Sequence, residues 1–517
     1  MVLVLHLMMD RPYLKIFILF LLSWFPFISH ILSGEIVGSG PDVVSTLWGM
    51  WWFQYEGVSS LFGAHSTVLN YPFGATGVVL APSSAIIWSI SDYFLGTGYA
   101  LLIAAWLQVA LLCWGCALLA NKIGGDWFFA AIAPLVGTYL FFGIGEGSLV
   151  AIACAPLVFG LYSLIRQQEG SWIHAIFTGM CMVWMALENP YLAPILPVFT
   201  GWKWLFAGRY RSQVTLSLLI GGTGVLYMAA MFGAAANPDY PREVAGKEVA
   251  LLGRVWQIVD LPWARMNWSE FLWPEPIRWT TSADDATQAS GGRYLGCSVF
   301  LLALYGLKDS LSRRWMILSI SGLLLSMGSL MYGMAFPFLF LNHVMDVLAR
   351  PLTQPTRYLC LAVIGFSICC SLAVITMTQK QKILILLVLL LDSCSFGSLS
   401  LELPKTQLPQ IPCSLKGPTL LYPWDARDGE LSQAQLYQLV HEQSAAHTGI
   451  ASWALPEGKR AMDKVRGAGF GEGSSMIRFS QLYRLGYRWV LSQEKLRGRG
   501  AKEERCGDYW AYELRKS

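Results

Sequence analysis

Residues 14–57 read LKIFILFLLSWFPFISHILSGEIVGSGPDVVSTLWGMWWFQYEG. The run 14–32 is apolar and long enough to cross a bilayer as a helix, which takes roughly 17–25 residues. Behind it, Asp42 follows Gly-Pro and stands just ahead of Trp48, Trp51, Trp52, Phe53 and Tyr55. Asp42 therefore falls beyond a membrane span, at the start of an indole-rich helix, with Glu35 before it and Glu56 after it. What it does there depends on which way the chain crosses.

The composition settles the class. Of 517 residues 55% are hydrophobic and 14% charged, against about 25% charged in a soluble globular protein. Further apolar segments lie near 98–119, 126–143, 147–165, 172–188, 190–206, 213–232, 294–308, 315–334, 358–377 and 383–399. The fold expected is an α-helical polytopic membrane protein with about eleven transmembrane helices, because lipid offers no partner to an unpaired backbone amide. The first span has Arg11 and Lys15 before it and no small-residue cleavage site after it, so it reads as a retained helix and not a signal peptide. A net charge of +4 gives no reason to expect a nucleic-acid partner.

Lys and Arg in the short connections set the orientation. With the N-terminus in the cytoplasm, the inner loops carry Lys122, Arg166, Arg209, Arg211, Lys308, Arg313, Arg314, Lys380 and Lys382. The opposite side receives 33–97, which holds no Lys or Arg, and the turns around Glu146 and Glu188. An odd number of spans leaves the tail outside. The chain thus divides into a transmembrane domain, 1–400, with large outer loops at 33–97 and 233–293, and an exported C-terminal domain, 401–517.

In that tail PTLLYP (418–423) reads as a strand, LSQAQLYQLVHEQ as a helix, RFSQLYRLGYRWVLSQ as a helix running into a strand, and DYWAYEL as a last strand. Together they make a small α/β domain. Nine cysteines fall in apolar spans, while Cys413 and Cys506 fall in the tail, where an oxidising compartment would permit one disulfide. The Trp-rich helix near 43–56 reads as lying in the membrane interface, where aromatic rings collect.

Several motifs are excluded. No G-x-x-x-x-G-K-[ST] loop is present, and GAGFGEGS (467–474) falls in the exported tail, where a flexible turn is the plainer reading. HEQSAAH (441–447) sets its histidines six apart, whereas a helical zinc site needs them four apart on one face.

The outer acids carry more. Asp42, Glu146 in GIGEGS and Glu188 in ALENPYLAP all stand at outer ends of spans. Singly, Asp42 could stabilise a helix start and the glutamates could be wet loop residues. Together they could hold a divalent cation, Mg or Mn, since hard cations choose carboxylate oxygen; Asp42 and Glu146 are the candidate ligands. Arg350 and Arg357 in LARPLTQPTRY either anchor the chain at the interface or clamp a phosphate, for which guanidinium geometry is suited.

The order of these pieces carries a resemblance: a first span, GPD with an aromatic helix, LNYPFG, ENPYLAP, GGRYLGCSVFLLALYGL, ARPLTQPTRYLCLAV, then a tail with LYQLVHEQ and LGYRWVL. The chain resembles the bacterial multi-pass proteins of the GT-C glycosyltransferase superfamily, over nearly its whole length. The resemblance implies a polyprenyl-phosphate-linked sugar donor used at the outer face of the membrane, with an acid of the first outer loop essential. Asp42 is the position that matches. Members often have a second acid nearby in that loop; here the neighbours are Glu35 and Glu56, and neither adjoins Asp42.

The expectation is therefore a membrane glycosyltransferase with Asp42 as base, Trp48, Trp52, Glu188, Arg350 and Arg357 contacting substrate, and Asp42 with Glu146 as metal ligands. Its partners are a lipid-linked sugar donor and membrane lipid, with the acceptor open. A transporter or flippase of lipid-linked saccharides is the rival. It would call for broken helices or charge at the membrane midplane, whereas these acids stand at span ends. An inactive assembly protein on the same fold is a third reading.

Overall fold

The computed structural model describes residues 11–62, 64–66, 75–77, 81–189, 192–235, 247–251, 254–258, 270–279, 292–327, 355–408, 413–422, 438, 464–465, 467–468 and 477–516. The chain opens with α1 (Pro12–Trp24), α2 (Ile28–Ser33), β1 (Ile36–Val37) and α3 (Pro41–Glu56). Antiparallel β2 (Ala64–Ser66) and β3 (Ala75–Gly77) precede α4 (Pro82–Leu95) and the long α5 (Thr97–Lys122). Next come α6 (Trp127–Val136), α7 (Tyr139–Gly145), α8 (Leu149–Ile152), α9 (Ala155–Arg166), α10 (Trp172–Glu188), α11 (Ile195–Leu205) and α12 (Arg211–Ala235). The antiparallel pair β4 (Lys247–Leu251) and β5 (Arg254–Ile258) leads to α13 (Cys297–Gly306), α14 (Ser310–Ser326), α15 (Leu359–Ala373) and α16 (Gln379–Ser395). The remainder holds β6 (Lys405–Thr406), β7 (Thr419–Tyr422), α17 (Phe479–Arg484), β8 (Trp489–Ser492), β9 (Ala501–Cys506) and β10 (Tyr509–Leu514).

A helix falls in each of the apolar segments expected to span, yet among the described residues only four are long and apolar enough alone: Pro12–Ser33, Thr97–Lys122, Thr356–Ala373 and Gln379–Ser400. A fifth arises if α6 and α7, bent by 49° at their junction, count as one. The other expected spans hold helices of at most 17 residues, apart from the 25-residue α12. Exposed apolar side chains confirm the lipid environment: Ile16, Phe17 and Phe20 on α1, Ile173, Phe177 and Met180 on α10, and Leu384 and Leu391 on α16 all face outward. A water-soluble surface does not tolerate such contiguous apolar area.

Inside, α15 is buried at every residue, as an all-apolar helix must be. It packs closely on α14 through glycines: a Cβ on Gly322 would lie 2.6 Å from the Ala362 amide nitrogen, and one on Gly365 would lie 2.7 Å from the Trp315 carbonyl oxygen. Close backbone approach of this kind is how helices associate where no hydrophobic force drives them together.

Four helices start with a side-chain cap. Asp126 accepts from Phe128 at α6, Ser171 from His174 at α10, and Asp309 from Ser312 at α14; Thr378 and Gln381 form a capping box at α16. Such caps satisfy amides the helix itself leaves unpaired. All four follow the connections that carry Lys122, Arg166, Lys308 and Lys380, and ion pairs tie these loops together. Lys122 and Arg166 meet Glu169, and Lys382 meets Asp126 at 2.9 Å. The basic loops therefore share one end of the helix assembly. The residues singled out as functional stand at the other end.

The C-terminal part has its own core around Leu420, Phe479, Tyr487, Val490 and Tyr512 and a mixed sheet in the order β7-β8-β10-β9. β7 and β8 are parallel and the other pairs antiparallel. The strands read at 418–423 and in DYWAYEL are present, as is the helix running into a strand at 479–492. β9, AKEERC, went unread because an edge strand so charged shows no apolar alternation. Of LSQAQLYQLVHEQ only Gln438 is described, and it is helical; HEQSAAH lies outside the described residues. Cys413 and Cys506 are disulfide-bonded. β6 joins the tail to the helical domain by pairing with β1, while His30 Nε2 lies 3.0 Å from the Pro404 carbonyl oxygen.

Candidate active site

Glycines fix where Asp42 goes. Gly38 and Gly40 have φ of +99° and +84°, which only glycine adopts without strain. They turn the chain from β1 into α3, where Pro41 starts the helix with its φ already suited. The Ser39 amide donates to the Gly145 carbonyl at 2.9 Å, and Thr46 Oγ1 donates to the Gly147 carbonyl at 2.7 Å. Gly147 is the point of closest approach, since a Cβ there would lie 2.3 Å from Val43 Cα. The first turn of α3 and the turn after α7 are thus clasped backbone to backbone, and Asp42 and Glu146 become neighbours.

The Asp42 side chain is exposed, although protein crowds around its carboxyl. That enclosure raises its carboxyl above the usual range, and the guanidinium of Arg357 counters the rise. Glu146, half-buried, is pushed up to about 8, first by its enclosure and then by the charge on Asp42, with Arg293 and Arg357 acting the other way. Two acids and two arginines therefore share one electrostatic neighbourhood.

Each arginine is held by its backbone. Arg357 lies in the 3-10 turn Pro355–Tyr358 leading into α15, its carbonyl accepts from Tyr139 Oη at 3.4 Å, and its side chain is buried. Arg293 is clamped by Thr138 from both sides: Oγ1 donates to the Gly292 carbonyl and the amide donates to the Tyr294 carbonyl, each at 2.9 Å. Arg293 also pairs with Glu270 at 3.0 Å, both side chains being buried. Next to it, Tyr294 and Ser298 donate from their hydroxyls to Asp392 on α16.

Sequence reasoning singled out Asp42, Glu146 and Arg357, and the structure brings these together. It missed Arg293, although the surrounding GGRYLG was in view. A lone arginine between glycines and aromatics, just before a span, was the available signal. Arg350 lies outside the described residues. Glu188 is placed differently. It is fully buried at the end of α10, where its Oε1 accepts from the Ser83 amide in the first turn of α4, so it caps a neighbouring helix. Arg357 acts on Asp42, and Asp42, Arg293 and Arg357 act on Glu146, with Glu188 not among them.

The indoles also depart from expectation. Trp48 and Trp52 are 3% and 0% exposed, nearly parallel at 6.1 Å between centroids, and Trp48 Nε1 donates to Gln438 Oε1 at 2.9 Å. α3 is thus not a helix lying in the membrane interface. The C-terminal domain and the turn after α7 cover it, and its aromatic faces pack against protein.

Asp42 and Glu146 present hard oxygen donors, and a positive charge between them would relieve the repulsion that raises Glu146. They fit a divalent cation such as Mg or Mn as two of its ligands. Among the described residues no third His, Cys, Asp or Glu joins them.

The fold is similar to those of solved transferase structures. Arabinofuranosyltransferase AftD from Mycobacteria has a TM-score of 0.51 at 14% identity, over 95% of this chain and 39% of that one. This chain therefore spans about two fifths of AftD. The Archaeoglobus fulgidus oligosaccharyltransferase in its apo form has a TM-score of 0.47 at 11% identity, over 93% of this chain and 70% of that one. The same archaeal enzyme, AglB, in complex with an inhibitory peptide and a dolichol-phosphate, gives 0.46 at 10% identity, over 93% and 69%. No protein-family profile and no curated protein sequence matches the chain. The likeness is one of fold.

Proposed function

We propose that this protein is a membrane glycosyltransferase that moves a sugar from a polyprenyl-phosphate-linked donor to an acceptor hydroxyl at the extracytoplasmic face. The observation that carries the reading is the meeting of Asp42 and Glu146 with Arg357 at the helix ends opposite the basic loops. By the distribution of Lys and Arg, that end faces out of the cytoplasm.

Asp42 takes the acceptor's proton, being an exposed acid within reach of a solvent-borne hydroxyl. The acceptor oxygen then attacks the anomeric carbon, the carbon–oxygen bond to the phosphate breaks, and its electron pair leaves with the polyprenyl phosphate. Arg357 offsets the charge gained by that phosphate, and donors fixed in place before reaction are worth most in such a role. A Mg or Mn ion held by Asp42 and Glu146 would supply further positive charge beside the leaving group.

The test is sugar transfer by the purified protein in liposomes, using lipid extract as the donor source and following the sugar from the lipid to a water-soluble product. Transfer that depends on Asp42 supports the reading. Movement of intact lipid-linked saccharide across the bilayer without breakage would replace it with transport.

A further inference from the structure

The last forty described residues, 477–516, hold ten Lys or Arg against five Asp or Glu, whereas the whole chain's net charge is only +4. The positive charge of this protein is therefore concentrated on its C-terminal sheet. All ten cations are exposed: Arg478, Arg484, Arg488, Lys495, Arg497, Arg499, Lys502, Arg505, Arg515 and Lys516. Only two of them are drawn into ion pairs among the described residues, Lys495 with Glu503 and Arg515 with Glu513. The loop RGRG between β8 and β9 presents Arg497 and Arg499, and β9, at the edge of the sheet, adds Lys502 and Arg505 with the exposed Glu503 and Glu504 between them. Beside them Trp510, half-buried, is flanked by Lys495 and Arg505, each 4.8 Å from its ring centroid.

We infer that this edge of the C-terminal sheet is a docking surface for an anionic polysaccharide that serves as the acceptor. Guanidinium groups outside ion pairs bind carboxylate or phosphate substituents in two-pronged fashion, and the stacking of Lys495 and Arg505 on Trp510 holds two of the cations in place. A bilayer surface fits less well. Among the described residues beyond Phe396 no large apolar side chain is exposed, so the domain has nothing to insert between lipids. The role as acceptor site rests on the proposed transferase activity, while binding itself does not and can be read without donor.

The experiment uses the full chain in nanodiscs of neutral lipid and measures binding of a labelled oligogalacturonate, with a neutral malto-oligosaccharide and anionic-lipid vesicles as competitors. The wild type should bind the acidic oligomer and not the neutral one. Binding should weaken with added salt and fall about ten-fold or more in Arg497→Glu/Arg499→Glu, whose side chains are exposed and outside the core. Equal binding of the neutral oligomer, no binding by the wild type, or displacement by anionic vesicles alone would each overturn the inference. Sugar transfer that continues without any oligogalacturonate binding would overturn it while leaving the transferase reading intact.

Discussion

At Asp42 two roles make opposite demands. A carboxylate at the first turn of a helix stabilises it electrostatically, and asparagine serves nearly as well at a helix start. Asparagine keeps the shape but cannot take a proton. Asp42→Asn should therefore leave folding intact while transfer falls on the order of 10²–10⁴-fold, the usual worth of a positioned base. Transfer in liposomes, with thermal unfolding as the check on folding, separates the two. A stable variant with near-normal transfer sinks the mechanism. Arg357 makes a different prediction. Its loss should weaken donor use by roughly 1.5–3 kcal/mol, the value of a charge-assisted contact, or about ten-fold or more in apparent donor affinity. Unchanged donor saturation in Arg357→Ala would return the residue to a structural role at the start of α15. The place of Asp42 in the first turn of α3 was legible, because Gly-Pro before it and the aromatic run after it mark a helix start. Arg293 was not, because what makes it notable is Thr138, far away in the chain, gripping the backbone on either side of it.

The clasp between α3 and the turn after α7 belongs to the elements and not to any one side chain. Gly147 has φ of +79°, and a Cβ there would lie within 2.3 Å of Val43 Cα and 2.5 Å of the Val43 amide nitrogen. Gly147→Ala therefore adds backbone strain of about 1–3 kcal/mol and also forces α3 away from Glu146. Both stability and transfer should fall, and transfer should fall further, because a shift of about 1 Å at reacting groups can cost 10²-fold. The comparison is the melting temperature against the transfer rate in one preparation. Full activity at reduced stability would show that the spacing of Asp42 and Glu146 does not matter. The helices themselves were readable, since apolar length alone announces them. The burial of α3 was not. Its Trp48, Trp51, Trp52 and Tyr55 suit an interfacial stripe equally well, and only the covering by Gln438 and the α7 turn, remote in sequence, decides the matter. Glu188 misled for a similar reason. Its task is to cap a helix that begins about a hundred residues earlier, a tertiary relation that no local pattern records.

Over the whole molecule, the basic connections gather at one end, the end that the expected orientation puts in the cytoplasm. The Lys and Arg residues lie in the same connections whose helices start with polar caps, and ion pairs such as Lys382–Asp126 hold those connections side by side. The acids and arginines of the candidate site lie at the opposite end, as does the start of the C-terminal domain, bound to β1 through β6. One experiment therefore tests all of it. A reporter active only in the exported compartment, fused after residue 405, should be active, and the same reporter fused near Gln381 should be silent. A reporter active only in the cytoplasm should give the reverse pattern. The two fusion points bracket α16, so each controls for expression of the other. If the fusion at 405 proved cytoplasmic, Asp42, Glu146 and Arg357 would all face inward, since they share that end of the fold. A donor presented at the outer leaflet could then never reach them. Should the pattern hold, the disulfide between Cys413 and Cys506 would lie in a compartment where such bonds persist. Asp42 would then stand where a lipid-borne sugar and a cell-surface acceptor can meet.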